Sequence, residues 1–129
     1  MIFGSEDKDW KELAKAILKL MEKKKILVVA SSDLSHYPPY EVAIEVDKET
    51  IEGILTLDPE KFKEKIENLK KLFPDVDTFA CAQDTIKTIL EISKNKKAKA
   101  KLLKYQNSGD TIYGERSQVV GYAGITFLN

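Results

Sequence analysis

The chain has 129 residues and a mass of 14.6 kDa, a length typical of one domain that buries about two thirds of its unfolded surface. Hydrophobic residues make up 43% and charged residues 33%, which argues against a disordered chain, and no apolar run approaches the ~20 residues of a membrane helix. The 21 basic and 21 acidic residues cancel, which disfavours nucleic-acid binding through phosphate neutralisation.

The residue counts also bear on the cellular location of the protein. A single cysteine permits no internal disulfide, and the acidic residues near the N-terminus are atypical of a signal peptide, so we expect a cytoplasmic protein. Lysine and glutamate are abundant, whereas Arg116 is the only arginine. Such surfaces are typical of thermophile proteins, in which ion-pair networks gain value with temperature.

The first two elements follow from hydrophobic patterning. An amphipathic helix is predicted over residues 7–24, with Ser5 as a plausible N-cap, after residues 1–4. Its apolar stripe consists of Trp10, Leu13, Ala14, Ile17, Leu18 and Met21. The continuous apolar run 26–30 predicts a strand buried on both faces, the usual condition inside a parallel α/β sheet. A polar turn over 31–39 then leaves the carboxyl end of that strand.

Three helices are predicted in the middle of the chain. The first covers 40–57 and breaks near Asp47. The second begins at Asp58, with Pro59 at its first helical position, and Pro74 stops it. The third is capped by Asp77 or Thr78 and ends within the polar segment 93–97.

Two late strands complete the pattern, at 99–105 and 118–127, joined by a polar loop that contains glycine. No repeat, low-complexity tract or flexible linker interrupts the chain. We therefore expect a single domain over residues 1–129 of the α/β class, with a small mixed or mostly parallel sheet flanked by helices.

The turn after the predicted strand concentrates reactive groups. Ser31, Ser32 and Ser35 accompany Asp33, Tyr37 and the chain's only imidazole, His36. Because histidine suits proton transfer near neutral pH, His36 is a candidate acid or base, with Asp33 orienting its ring. A polar turn with a structural histidine explains the same residues equally well. A Ser-His-Asp triad is disfavoured, since its members come from separate segments and no nucleophile elbow is present.

Cys81 lies near the start of the third of these helices, where free N–H groups favour a thiolate that attacks substrates or binds metal. A small buried apolar cysteine is the alternative that we favour from composition. The absence of paired cysteines or histidines excludes a complete structural zinc site, so a catalytic metal needs His36, Cys81 and a carboxylate to converge. Residues 107–110 form a turn signature, and Ser108 and Asp110 are candidates to line the same pocket.

Several segments, in the same order along the chain, resemble the Memo family, whose bacterial and archaeal members are often named AmmeMemoRadiSam system protein B. The matching segments are 30–37, 47–50 with Ile54, 57–59, 80–81, 107–110 and 119–122. Together they span nearly the whole chain, which resembles the C-terminal half of a Memo-type protein. Residues 1–4 resemble an internal strand of that family.

The resemblance implies a fold like half of a class III extradiol dioxygenase. It implies an acid/base role for His36, and it matches Cys81 to the family cysteine that stands at an iron ligand position of those dioxygenases. The other two metal-site histidines lie in the N-terminal half of the family, so we expect no cofactor in the isolated chain. Iron or copper is expected if the missing half is supplied. The chain departs from the family at Ala82 and Thr85, where glycine and proline are usual.

The residues and the resemblance together suggest three alternative functions. The first is a Memo-like protein with an incomplete or vestigial metal and redox pocket around His36 and Cys81. The second is a binding module that completes the pocket with a separate N-terminal half, or that forms a homo-oligomer, with no nucleic-acid or membrane partner. The third is a thiol-dependent enzyme in which Cys81 is the nucleophile and His36 the base. Whether the chain is an enzyme at all is left open.

Overall fold

The computed structural model describes residues 9–128, in which four helices flank a two-stranded antiparallel sheet. The expected α/β class is confirmed, but the sheet of the described residues is antiparallel and not mixed or mostly parallel, because the two late strands pair directly with each other. The element bounds are α1 Asp9–Met21, α2 Tyr40–Leu55, α3 Pro59–Leu72, α4 Gln83–Asn95, β1 Lys99–Asn107, a 3-10 turn Ser108–Asp110, and β2 Gly121–Leu128.

The helix α1 confirms the first amphipathic pattern within the described residues. Its buried residues are Trp10 and Ala14, and it packs against α4. The aromatic ring of Trp10 lies beneath the ammonium group of Lys87, 5.5 Å from the ring centroid, which adds a cation–π contact to the helix pair. The proposed cap at Ser5 and the strand-like residues 1–4 lie outside the described residues.

The predicted break in the second helix is wrong, because α2 runs without interruption through Asp47. An aspartate ends a helix when its carboxylate captures a nearby backbone N–H of its own segment. The carboxylate of Asp47 instead accepts hydrogen bonds from the Ser35 N–H and the Tyr105 hydroxyl, so it leaves the helix backbone undisturbed.

The start of α3 confirms the predicted cap. Asp58 Oδ1 accepts hydrogen bonds from the N–H groups of Glu60 and Lys61, and Pro59 occupies the first turn. Phe62, Ile66 and Leu69 of this helix are buried, together with residues of α2 and α4 that form one core. The largest fully buried apolar side chains of this core are Phe62, Phe79, Ile66, Leu90 and Val46.

The helix α4 begins later than predicted, at Gln83, and neither Asp77 nor Thr78 caps it. Backbone pairing competes for this segment. The Thr78 carbonyl accepts a hydrogen bond from the His36 N–H at 3.1 Å, and the Cys81 N–H donates to the Asp33 carbonyl at 3.2 Å. Residues 78–82 are therefore held as a turn against the 31–37 segment, and the helix starts after them.

The predicted strand 26–30 is wrong for the described residues. Residues 26–30 have no regular secondary structure and join no sheet within residues 9–128. Leu27 and Val29 are 88% and 76% exposed, whereas Val28 and Ala30 are half-buried. A strand requires a neighbour for its backbone groups. Residues 99–128 pair with each other instead, so one face of this apolar segment is left open.

None of the helices in the described part of the chain is long and apolar enough to cross a membrane.

The Asp58 cap provides a test of this fold. Asp58 is half-buried, and the Lys94 ammonium 2.7 Å from its Oδ2 is the main reason that the pKa of Asp58 lies below its usual 3.8. We expect Asp58→Ala to lower the free energy of unfolding by about 1 kcal/mol, since both N–H groups lose their acceptor.

Asp58→Asn is the matched variant, because it keeps a capping oxygen and removes the charge. Since the folded pKa is lowered, the stabilisation by the charge is complete above pH 3.8 and is lost as the pH falls through the folded value. Urea unfolding of the wild type and Asp58→Asn should therefore converge in acid. A stability gap that widens below pH 3.8 would contradict this assignment.

Candidate functional site

The site forms where the 31–37 segment meets the turn before α4 and the approach to β2. His36 makes isolated antiparallel bridges to Thr78 on one side and to Val120 on the other. Its neighbour Tyr37 donates its N–H to the Val119 carbonyl at 2.8 Å. Three segments that are distant in sequence are thus joined through their backbones.

This pairing brings together Asp33, His36 and Cys81. One ligand atom from each residue lies within 4.8 Å of the other two. His36 Nε2 is 3.5 Å from Asp33 Oδ2, and it is a buried atom that makes no hydrogen bond within the described residues. The arrangement places an unused imidazole nitrogen next to a carboxylate and a sulfur atom.

Cys81 is exposed, so the alternative of a buried apolar cysteine is wrong. Its Sγ accepts a hydrogen bond from the Asp33 backbone N–H at 3.2 Å. The Ser32 hydroxyl lies 3.7 Å from the same sulfur, donates to the Asp33 carbonyl at 2.8 Å, and accepts from the Ala82 N–H at 3.1 Å. Ser32 therefore fastens the turn that carries the thiol.

The other serines and the tyrosine of the segment occupy different environments. Ser31 is exposed, whereas Ser35 is fully buried beneath the site. Tyr37 is 55% exposed, and its ring centroid lies 5.6 Å from that of His36. Its φ of 65° places it in the left-handed region, which is uncommon for a bulky residue and indicates a backbone constrained by its neighbours.

Ser108 and Asp110 lie in the 3-10 turn after β1 and bind residues outside the Asp33, His36 and Cys81 cluster. The Ser108 hydroxyl accepts a hydrogen bond from the Val120 N–H at 3.1 Å. The Asp110 carboxylate accepts from the Asn107 N–H at 2.9 Å and from the Tyr40 hydroxyl at 2.7 Å, and the latter bond is the main cause that lowers the pKa of Asp110. These bonds hold the loop in place, and none of them reaches Asp33, His36 or Cys81.

Sequence reasoning missed the support beneath the site. Asp47 is fully buried, and its two oxygens accept hydrogen bonds from the Ser35 N–H at 2.9 Å and the Tyr105 hydroxyl at 2.8 Å. Burial raises the pKa of Asp47, and burial is also the main cause that raises the pKa of Tyr105. The available signal was an acidic residue on the same helix face as Ala43, Val46, Thr50 and Ile54.

The donor set fits part of a metal site. Zinc, iron and copper sites use thiolate, imidazole and carboxylate ligands in this combination. Two donors bound at ~2.0–2.3 Å to one ion lie at most about 4.5 Å apart, so the 3.5 Å between His36 Nε2 and Asp33 Oδ2 is compatible with a shared ion. Two histidines cannot come from this chain, which contains one.

Comparisons with known proteins assign the relationship. A family model described as Memo-like protein matches residues 1–126. A MEMO1 family protein of Sulfurisphaera tokodaii is 40% identical over 118 residues, covering 89% of this chain and 39% of that protein. One from Archaeoglobus fulgidus is 40% identical over 104 residues, covering 81% of this chain and 36% of that protein.

A MEMO1 family protein of Desulfurococcus amylolyticus is 39% identical over 119 residues, covering 91% of this chain and 39% of that protein. The chain thus spans about two fifths of the length of these curated relatives. The family model covers nearly the whole chain and the relatives agree with it: this chain belongs to the Memo-like protein family.

Proposed function

We propose that the chain forms one wall of a Memo-type metal and redox pocket, with Cys81 as a metal ligand and His36 and Asp33 as a proton-handling pair. The observation that carries the proposal is the approach of their three ligand atoms to within 4.8 Å. The family match supports it, because the same residues lie in the segments that resemble the family.

The surroundings of each group suit these roles. The Asp33 N–H aimed at Cys81 Sγ would offset negative charge on a metal-bound thiolate, as outer hydrogen bonds do in metal sites. His36 Nε2 has no hydrogen bond within the described residues and faces the Asp33 carboxylate, so it is free to hold or transfer a proton at that atom. When bound, iron or copper would supply the redox chemistry of the pocket.

The pocket is incomplete in this chain. A tightly held redox metal of this type needs further nitrogen or oxygen donors, and the sole imidazole is already at the site. We therefore expect weak, exchangeable metal binding. The same Cys81 and His36 pair also suits a thiol-dependent enzyme, and that alternative stays a prediction.

A second candidate function is assembly with another polypeptide. The 26–30 segment, α4 and β2 border an open groove of about 690 Å³, whose lining includes Leu27, Val29, Ile89, Ile92, Ile125 and Phe127. The exposed faces of Leu27 and Val29 favour burial against a partner. The partner that we propose is a polypeptide equivalent to the portion of the longer relatives that this chain does not match.

The metal proposal predicts a thiolate-to-cobalt charge-transfer band when Co²⁺ is titrated into the metal-free chain. Cys81→Ser should abolish the band, because the sulfur ligand is lost. His36→Gln should retain it but raise the apparent dissociation constant about tenfold, as the loss of an outer partner does. Near-ultraviolet absorbance measures both effects, and dialysis should remove the cobalt.

Two results would count against this function. A wild-type chain without the cobalt band at any Co²⁺ concentration would remove Cys81 as a ligand. Stoichiometric iron or copper that survives dialysis would show that the pocket is complete.

The assembly proposal predicts that a Leu27→Ser, Val29→Ser variant binds less of the dye ANS than the wild type and keeps its melting temperature. Ile112→Ser, Tyr113→Ser is the matched control, since those side chains are 94% and 97% exposed away from the groove. Co-expression with the unmatched portion of the Sulfurisphaera tokodaii relative should yield a complex that the Leu27 and Val29 variant loses. Monomeric wild type that neither binds ANS nor joins this complex refutes the assembly role.

A further inference from the structure

The buried carboxylate of Asp47 lies directly below the segment that carries His36. It is on α2, and neither of its hydrogen-bond donors is a lysine or an arginine: one is the Ser35 N–H and the other is the Tyr105 hydroxyl. A buried carboxylate is costly unless hydrogen bonds satisfy it, and here the two hydrogen bonds come from neutral donors, which indicates a specific role for Asp47.

The backbone of residues 34–37 shows what that role is. Four consecutive N–H groups have an acceptor each. The Leu34, His36 and Tyr37 N–H groups donate to the carbonyls of Gly121, Thr78 and Val119, respectively. Only the Ser35 N–H donates to a side chain. It points toward α2, whose backbone carbonyls already accept hydrogen bonds within the helix.

Gly121 provides the space for this carboxylate. A Cβ atom at Gly121 would lie 1.8 Å from Asp47 Oδ2, and its three nearest atoms would all belong to the Asp47 carboxylate. The Gly121 N–H also donates to the Ser35 carbonyl at 3.0 Å. Asp47 and Gly121 therefore bind the backbone N–H and the backbone carbonyl of Ser35, respectively, which fixes the two peptide groups that flank this residue.

We propose that Asp47 is a positioning residue, which fixes the Ser35 peptide and thereby holds the His36 imidazole against Cys81. Asp47 touches neither Cys81 nor the His36 ring in any hydrogen bond of the described residues. This inference rests on the proposed function for its significance, but the geometry that it predicts can be measured without any metal.

The first experiment compares Asp47→Ala with Val46→Ala in the full chain. Val46 is a buried neighbour on α2, so its truncation destabilises the core without touching the Ser35 peptide. The wild type should show a nuclear Overhauser contact between the His36 ring and the Cys81 β-protons. Asp47→Ala, which removes the acceptor, should lose this contact and should raise the apparent Co²⁺ dissociation constant by no more than the roughly tenfold expected for His36→Gln. Val46→Ala should keep both within twofold.

Tyr105→Phe is a milder variant if Asp47→Ala does not fold. It keeps both partners of the bond between the Ser35 N–H and Asp47. It removes the Tyr105 hydroxyl, which is the second donor that holds the carboxylate in place. Native-state hydrogen exchange of the Ser35 amide should then quicken at least tenfold relative to the Leu34 amide. Unchanged Ser35 exchange in Tyr105→Phe, or a ring contact in Asp47→Ala as strong as in Val46→Ala, overturns the positioning role.

The second experiment uses Gly121. Gly121→Ala should lower the melting temperature strongly, and in an Asp47→Ala background the same change should have little further effect, because the atoms that it meets are gone. Additive effects of the two substitutions on the melting temperature would refute the direct contact between Gly121 and the Asp47 carboxylate. Suppose that the wild type shows no cobalt band although the contact between His36 and Cys81 and the non-additivity of the Asp47 and Gly121 substitutions are both observed. That result would refute the metal function and leave the positioning role intact.

Discussion

The candidate site depends on one set of backbone hydrogen bonds, those that suspend residues 34–37 between the Thr78 turn and the start of β2. No local motif places His36 beside Cys81, since 45 positions separate them in the numbering of the chain. The pairing at Thr78 fixes one side of the imidazole segment, and the pairing at 119–121 fixes the other. The chemistry of the pocket is therefore a product of tertiary structure.

Features that depend on residues close together in the sequence were predictable, whereas features that depend on distant partners were not. The helix α3 was predictable from Asp58 and Pro59, because a cap and its helix are neighbours in the chain. The start of α4 and the state of 26–30 were not, because each depends on which distant backbone offers a partner. His36 and Cys81 were identifiable by residue type and resemblance, whereas the role of Asp47 required knowledge of the Ser35 N–H that faces it.

The open apolar face and the pocket are adjacent along the chain. The segment that borders the groove ends at Ala30, and the next residues lead directly to Asp33 and His36. A polypeptide bound against Leu27 and Val29 would therefore contact the segment that leads into the pocket. The two proposed functions are compatible in this sense, since the partner that covers the face is also placed to add donors.

Cys81 has a practical consequence, because it is the sole sulfhydryl of the chain and it is exposed. A maleimide fluorophore or a nitroxide label attached to the unmodified protein would sit at one known position, next to the imidazole of His36. The natural sequence thus provides a single labelling site at the place where its chemistry is expected, and no other cysteine has to be replaced.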